Sequence, residues 1–290
     1  TAKFARPDAF PVLNAFPTDR DWRLGTGDWV QAGFDWLKTH GRGFFDGLTV
    51  GMRSLLDAIE VVLVGTPWPV VALVFVMLAY LSGGARVAIF TAAALAYLGL
   101  LDFWEKAMTT IALLGAAALI SITLGIPLGI FCARRPAVFA VVRPVLDFMQ
   151  SMPSFVYLIP VVAFIGSGKP AGVVATMIFG SPPVIRFTVL GLQQVPKTVR
   201  EAALAFGATP RYLLWRVDLP LARKTIMAGV NQTILLSLAM VVVASLIGAK
   251  GLGEDVLEAL QYAAAGQGIL AGLAILFCAL ILDRIVAGKK

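Results

Sequence analysis

Residues 165–170 read IGSGKP, the stretch that comes closest to a nucleotide-handling motif. A phosphate loop needs GxxxxGK followed by Ser or Thr, so that amides and the lysine hold the phosphates and the hydroxyl reaches magnesium. Here Ala163 stands at the first glycine position and Pro170 at the hydroxyl position, between two apolar runs. The stretch reads as a turn. GAKGLG at 248–253 has glycines but no strand–helix context, and reads as a helix-ending bend. His40 is the only histidine, and Cys132 and Cys278 sit in or at the end of apolar runs without ligand spacing. Metal sites and histidine acid–base chemistry therefore have almost no material. No catalytic residue, metal ligand or cofactor is assigned to this chain. The polar groups gather instead in residues 201–220, EAALAFGATPRYLLWRVDLP, where Glu201, Arg211, Arg216 and Asp218 interrupt an otherwise apolar sequence.

Two short helices are predicted over 195–220. Pro196 suits a first helical position, and Gly207 supplies the positive φ that ends the helix near Phe206. Thr209 can cap a second helix with Pro210 at its first position, running to about Val217. Pro220 is expected to stop that helix and launch the next apolar span. Ala202, Ala203 and Ala205 are small enough for a partner to approach closely. Such a rigid, bent helical pair can transmit force; an ordinary charged loop lying on lipid headgroups is the blander reading.

The elements that must hold this segment are membrane helices. The chain is 59% hydrophobic and only 14% charged, against roughly a quarter charged in soluble domains. A span needs about 20 apolar residues, and seven candidates are read at 67–82, 85–101, 107–132, 145–166, 171–191, 222–248 and 266–283. The first two are short. Residues 43–64 carry Asp46, Arg53, Asp57 and Glu60 near one face, which fits an amphipathic helix on the membrane surface. Residues 1–42 read as a tail outside the bilayer with no apolar core for a cleavable signal, and 65–290 as the transmembrane domain. Arginines and lysines concentrate in 133–144, in 192–224 and at the C-terminus, whereas 249–265 sets Lys250 against Glu254, Asp255 and Glu258. The positive-inside rule then predicts an external N-terminus, a cytoplasmic C-terminus and a cytoplasmic 195–220 segment.

A polar path through the spans has few candidates. Met149, Gln150, Ser151, Phe155 and Tyr157 open the 145–166 span, which Pro153 and Pro160 interrupt. Broken helices commonly border transporter cavities, and aromatic faces can receive a quaternary ammonium. Asn231 and Gln232 lie roughly 9 Å into their span at 1.5 Å per residue, and Met240 follows further along. Amides at that depth should face protein or water, and packing is an equally good reading. Gly125 and Gly129 form a small-xxx-small face for helix packing. Charges are expected at span ends, with almost none inside, which argues against an ion-coupled secondary transporter or channel.

The 201–220 stretch resembles the signature loop of ABC-importer permeases: EAA, three residues, Gly, nine residues, an apolar residue, one residue, Leu-Pro. Glu201, Ala202, Ala203, Gly207, Val217, Leu219 and Pro220 stand in register, with Val217 in place of the commoner isoleucine. Residues 146–174, 181–196, 225–253 and 259–285 are similar to the glycine betaine/proline betaine/choline permease subfamily, so the likeness covers about 105–286. It implies an all-α integral membrane protein with a type I ABC-importer permease core of about seven transmembrane helices, in the bacterial inner membrane. It implies that Glu201, Ala202, Ala203, Gly207, Arg211, Leu219 and Pro220 couple to a cytoplasmic ATPase, which holds ATP and magnesium. A second permease chain, expected to be identical, and an external substrate-binding protein complete the importer. The implied cargo is a compatible solute such as glycine betaine, choline, proline betaine or trimethylamine N-oxide. An amino acid such as histidine or proline is the alternative, and a membrane scaffold for a cytoplasmic enzyme is disfavoured by the intact loop.

Overall fold

The computed structural model describes residues 26–287, and the side chains of 27–286. These residues are helical apart from short connections. They divide into two compact units, the boundary falling after Phe45 inside the first helix, α1 (Thr26–Leu63). In the first unit the helix stacks Trp36 on His40, with ring centroids 4.7 Å apart.

Residues 1–25 of the expected tail lie outside the described residues. Residues 26–42 are helical, which corrects the expected helix start at 43. Glycines such as Gly41 and Gly43 each cost only about 1 kcal/mol in a helix interior, too little to end a helix with good formers on both sides.

In the second unit α1 continues to Leu63 and is followed by α2 (Trp68–Gly83), α3 (Ala85–Leu100) and α4 (Trp104–Arg134). Next come α5 (Pro136–Ser151), a 3₁₀ turn (Ser154–Tyr157), α6 (Leu158–Ile165), α7 (Lys169–Gln193) and α8 (Lys197–Ala205). A long helix α9 (Pro210–Ser245), then α10 (Leu252–Gln261) and α11 (Ala265–Ala287), complete it. Among the described residues α4, α7, α9 and α11 are each long and apolar enough to cross a membrane. At 16 residues, α2 and α3 reach about 24 Å each, short of a hydrocarbon core of about 30 Å.

One expected span and one expected connection need correction. The 145–166 segment is not one helix: α5 starts at Pro136, and the chain turns by 111° between Ser151 and Ser154. Pro153 lacks the N–H that would continue the helix, and Met152 before it is forced extended, at ψ 140°. The 249–265 connection is not a plain loop, because α10 occupies its centre.

Three helices, α4, α7 and α9, make the centre of the bundle. Their approach depends on glycines: a Cβ on Gly125 would meet Val184 at 2.5 Å, and one on Gly129 would meet Thr188 at 2.6 Å. Gly229 faces Phe187 in the same way across the α7–α9 contact. One apolar cluster joins Met52 and Leu56 of α1 to Ala116 of α4, Val173 of α7 and Met240 of α9. The apolar face of α1 between residues 46 and 63 is therefore covered by protein, and Glu60 pairs with Lys169 at 2.7 Å. A second cluster ties α2 and α3 to α4 and α11 through Phe75, Leu98, Met108 and Cys278. The outward faces remain apolar, with Leu73, Ile89, Leu124 and Ile269 exposed, as a hydrocarbon surround requires.

One end of the bundle is pinned by polar groups. Lys106 pairs with the buried Asp255 at 2.5 Å, and the backbone N–H of Leu252 donates to Thr110 Oγ1 at 2.9 Å. Thr110→Val is expected to cost about 1–3 kcal/mol, because the buried N–H of Leu252 then has no acceptor. Thermal unfolding of the purified protein in detergent checks it; an unchanged midpoint would remove Thr110 from the account.

Candidate coupling and translocation site

At the opposite end α8 stands off the bundle, with none of its residues buried. Gly207, at φ +83°, closes it as expected: Gly207 N–H donates to Leu204 O at 2.9 Å and Ala208 N–H to Ala203 O at 3.0 Å. This pair of bonds is the Schellman arrangement, which absorbs the last carbonyls of a helix. Thr209 caps the next helix through Tyr212 N–H to Oγ1, 3.3 Å, with Pro210 in the first turn.

The second helix differs from expectation. It does not stop before Pro220 but widens into a π-helical turn over Leu213–Asp218 and continues as the membrane helix, one rod from Pro210 to Ser245. A proline in an unbroken α-helix collides with the carbonyl four residues earlier and leaves it without a donor. Widening the turn before Pro220 relieves that conflict, so Leu219 and Pro220 begin the regular helix. The segment is thus a short helix hinged on the extension of α9.

What fixes α8 is an arginine that sequence reading passed over. Arg200 Nε donates to Asp218 Oδ1 at 2.7 Å, and its Nη2 donates to Leu192 O at 2.7 Å. The Asp218 side chain is only 10% exposed. One guanidinium therefore binds the end of α7, the π turn of α9 and α8 itself. Arg134 at the end of α4 adds a bond from Nη2 to Pro210 O at 3.1 Å. These groups line a cleft of about 380 Å³ with Leu192, Pro210 and Leu214. Glu201, Ala202, Gly207 and Arg211 lie exposed, Ala203 half-buried. Phe206 is 93% exposed, and Leu204, Tyr212 and Trp215 of the same segment are exposed as well. The segment is a partly basic knob with an apolar point. Arg200 and Asp218 are 18 residues apart, beyond any helical spacing, so only their position among the few charges hinted at a role.

The path candidates separate. Tyr157 is buried and its hydroxyl donates to Met149 O, which holds the 3₁₀ turn against α5. Phe155 is exposed, as are Gln150 and Ser151. On α9, Gln232 is exposed and Asn231 Oδ1 is buried without a partner among the described residues. Met240 is fully buried beside the α1 and α7 residues of the first cluster, a packing position. Among the few charges of the expected spans, Arg186 of α7 pairs with Asp147 of α5 at 2.6 Å. Asp147 lies four residues before Ser151, in reach of a spacing argument; its partner was not. Among the described residues no group of three metal-ligating side chains converges.

A bundle of apolar helices with an exposed, clamped helix pair projecting from one end defines an integral membrane transport subunit. The family described as binding-protein-dependent transport system inner membrane component matches residues 125–287, and the chain belongs to it. The glycine betaine/proline betaine transport system permease protein ProW of Escherichia coli is 45% identical over 89% of this chain and 73% of its own length. The glycine betaine transport system permease protein OpuAB of Bacillus subtilis is 41% identical over 94% of this chain and 96% of its own. A chain of the inward-facing MetNI methionine ABC transporter superposes with a TM-score of 0.56, covering 65% of this chain and 96% of that one at 22% identity. The fold is that of a type I ABC permease.

Proposed function

We propose that the chain is the permease subunit of an ATP-driven importer for quaternary amine solutes of the betaine class, glycine betaine foremost. One observation carries the coupling part: α8 buries no residue, yet is clamped by Arg200 to α7 and α9. A helix built this way can pass a partner's motion to the membrane helices. Identity of 45% and 41% to glycine betaine permeases supports the cargo class. Glu201, Ala202, Ala203, Gly207, Arg211, Leu219 and Pro220 are the coupling segment, seated in a cytoplasmic ATPase chain that holds ATP and magnesium. Two identical permease chains and an external binding protein complete the importer. Arg134, Arg135, Arg143, Arg200, Arg211, Arg223 and Lys224 share sequence segments that meet at the α8 end, which supports placing that end and the C-terminus in the cytoplasm.

The test is co-purification with the ATPase and uptake into vesicles. Glu201→Lys and Gly207→Val are expected to lower ATPase association and uptake at least about tenfold, a loss of about 1.4 kcal/mol or more in docking. Retention of both activities would end the coupling assignment. Titration of glycine betaine, choline and proline against the binding protein tests the cargo; binding of proline alone would overturn it.

A further inference from the structure

Among the described residues the Asp147–Arg186 pair joins α5, the first half of a bent apolar helix pair, to the membrane helix α7. Arg186 lies seven residues before the end of α7, about 10 Å along the helix. Asp147 lies on α5, beside Leu146, which packs with Val184 and Ile185 in the third apolar cluster. The pair therefore sits where the broken helix α5 meets the central helix α7. It is not sealed: the Asp147 side chain is 55% exposed and that of Arg186 33%. Arg186 Nε is buried with no partner among the described residues.

An open carboxylate within a membrane helix cannot face hydrocarbon cheaply. Insertion of such a charge costs about 2.5–3.5 kcal/mol even on the mildest scales, so ionisable groups there look toward water or protein. The open side of α5 is polar beyond Asp147 as well. Gln150 and Ser151, three and four residues on, share its face and are exposed. This stripe runs to the bend that breaks α5 from α6, and broken helices border the solute path of transporters.

We infer that Asp147 and Arg186 form the charged wall of the translocation path, matched as a pair to the two ends of a zwitterion. The inference rests on the importer function proposed above. The pair is neutral as a unit, so it traps neither a net cation nor a net anion. A betaine brings one quaternary ammonium and one carboxylate. It can lie along the wall with its ammonium toward Asp147 and its carboxylate toward Arg186, loosening the 2.6 Å contact without leaving either charge unpaired. Weak, balanced contacts of this kind let a solute pass instead of holding it.

The experiment uses the complete transporter in vesicles. Ser151 is replaced by cysteine, one turn from Asp147; native Cys132 and Cys278 are fully buried. Modification of this chain by small cationic and anionic methanethiosulfonates is followed by mass spectrometry. Both reagents are expected to reach S151C. The cationic-to-anionic rate ratio should fall about threefold to tenfold when D147N is added and rise by a similar factor with R186Q, as one removed charge at this distance dictates. Glycine betaine during turnover should slow both reactions. A cysteine that neither reagent reaches, or a ratio that neither variant moves, overturns the wall; uptake without protection overturns the zwitterion match. Failure of the unaltered transporter to take up any quaternary amine would instead overturn the proposed function, and the labelling ratio would still report on the wall.

Discussion

Replacing Arg200 with methionine is expected to abolish ATP-driven uptake while leaving the membrane bundle folded. Among the described residues the guanidinium joins α8 to both α7 and α9, through Asp218 and the Leu192 carbonyl. Its removal leaves the Asp218 carboxylate, 10% exposed, without a counter-charge. Breaking a buried pair by deleting one partner costs about 3–5 kcal/mol. Here the lower end applies, since the Arg200 side chain is one-third exposed. The cost falls on α8, which has no buried side chain to hold it in place. It should swing free of the π turn, so that motion of a docked partner no longer reaches α9. Uptake should fall at least about tenfold, with thermal unfolding of the bundle little changed. Asp218→Asn should lose less, because an amide still accepts from Arg200. The exchanged pair R200D/D218R should recover little, because the bond to Leu192 O needs the arginine on α8. Full uptake by the Arg200 variant would show that α8 is held by something other than this clamp.

Gly129→Val is expected to prevent accumulation of folded protein. The Cβ alone would stand 2.6 Å from Thr188 Cβ and 2.9 Å from the Ile185 carbonyl oxygen. The second contact is with backbone in the middle of α7, which cannot move aside as a side-chain tip can. Overpacking of this kind costs about 1–3 kcal/mol for each intrusion that can relax, and two branched methyls add to it. The crossing of α4 and α7 orders the bundle on which α9 and the clamp depend. Size-exclusion profiles in detergent should show aggregated or missing protein. Gly272→Val is the control: no atom lies within 4 Å of its Cβ position, on α11, and that variant should behave as the parent. Equal profiles for both would remove the close crossing as the reason for Gly129.

How far the amino-acid order alone reached is clearest in the 195–220 segment. Gly207, Thr209 and Pro210 act through their own backbone restrictions and short-range bonds, so the end of α8 and the start of α9 could be read residue by residue, whereas Pro196 caps α8 from just outside it instead of opening its first turn. Apolar runs announced α4, α7, α9 and α11 for the same reason: crossing hydrocarbon demands a length of low polarity that composition records directly. The GIPLG spacing likewise marked a packing face, and Gly125 and Gly129 fill that role against Val184 and Thr188. Tertiary structure decided the rest. Pro220 carries a local rule against continuing a helix, yet a π turn lets the helix run on. Arg200 with Asp218, and Arg186 with Asp147, are pairings 18 and 39 residues apart. Charge attraction has no preferred sequence separation; only the packing of α5, α7, α8 and α9 brings these groups within hydrogen-bond distance. The sequence by itself determined a membrane protein with a capped helix pair at 195–220, because hydropathy and caps are local, and its resemblance to ABC-importer permeases pointed to the family. The clamp that stiffens that segment, and the charged pair within the spans, exist only once the helices have packed.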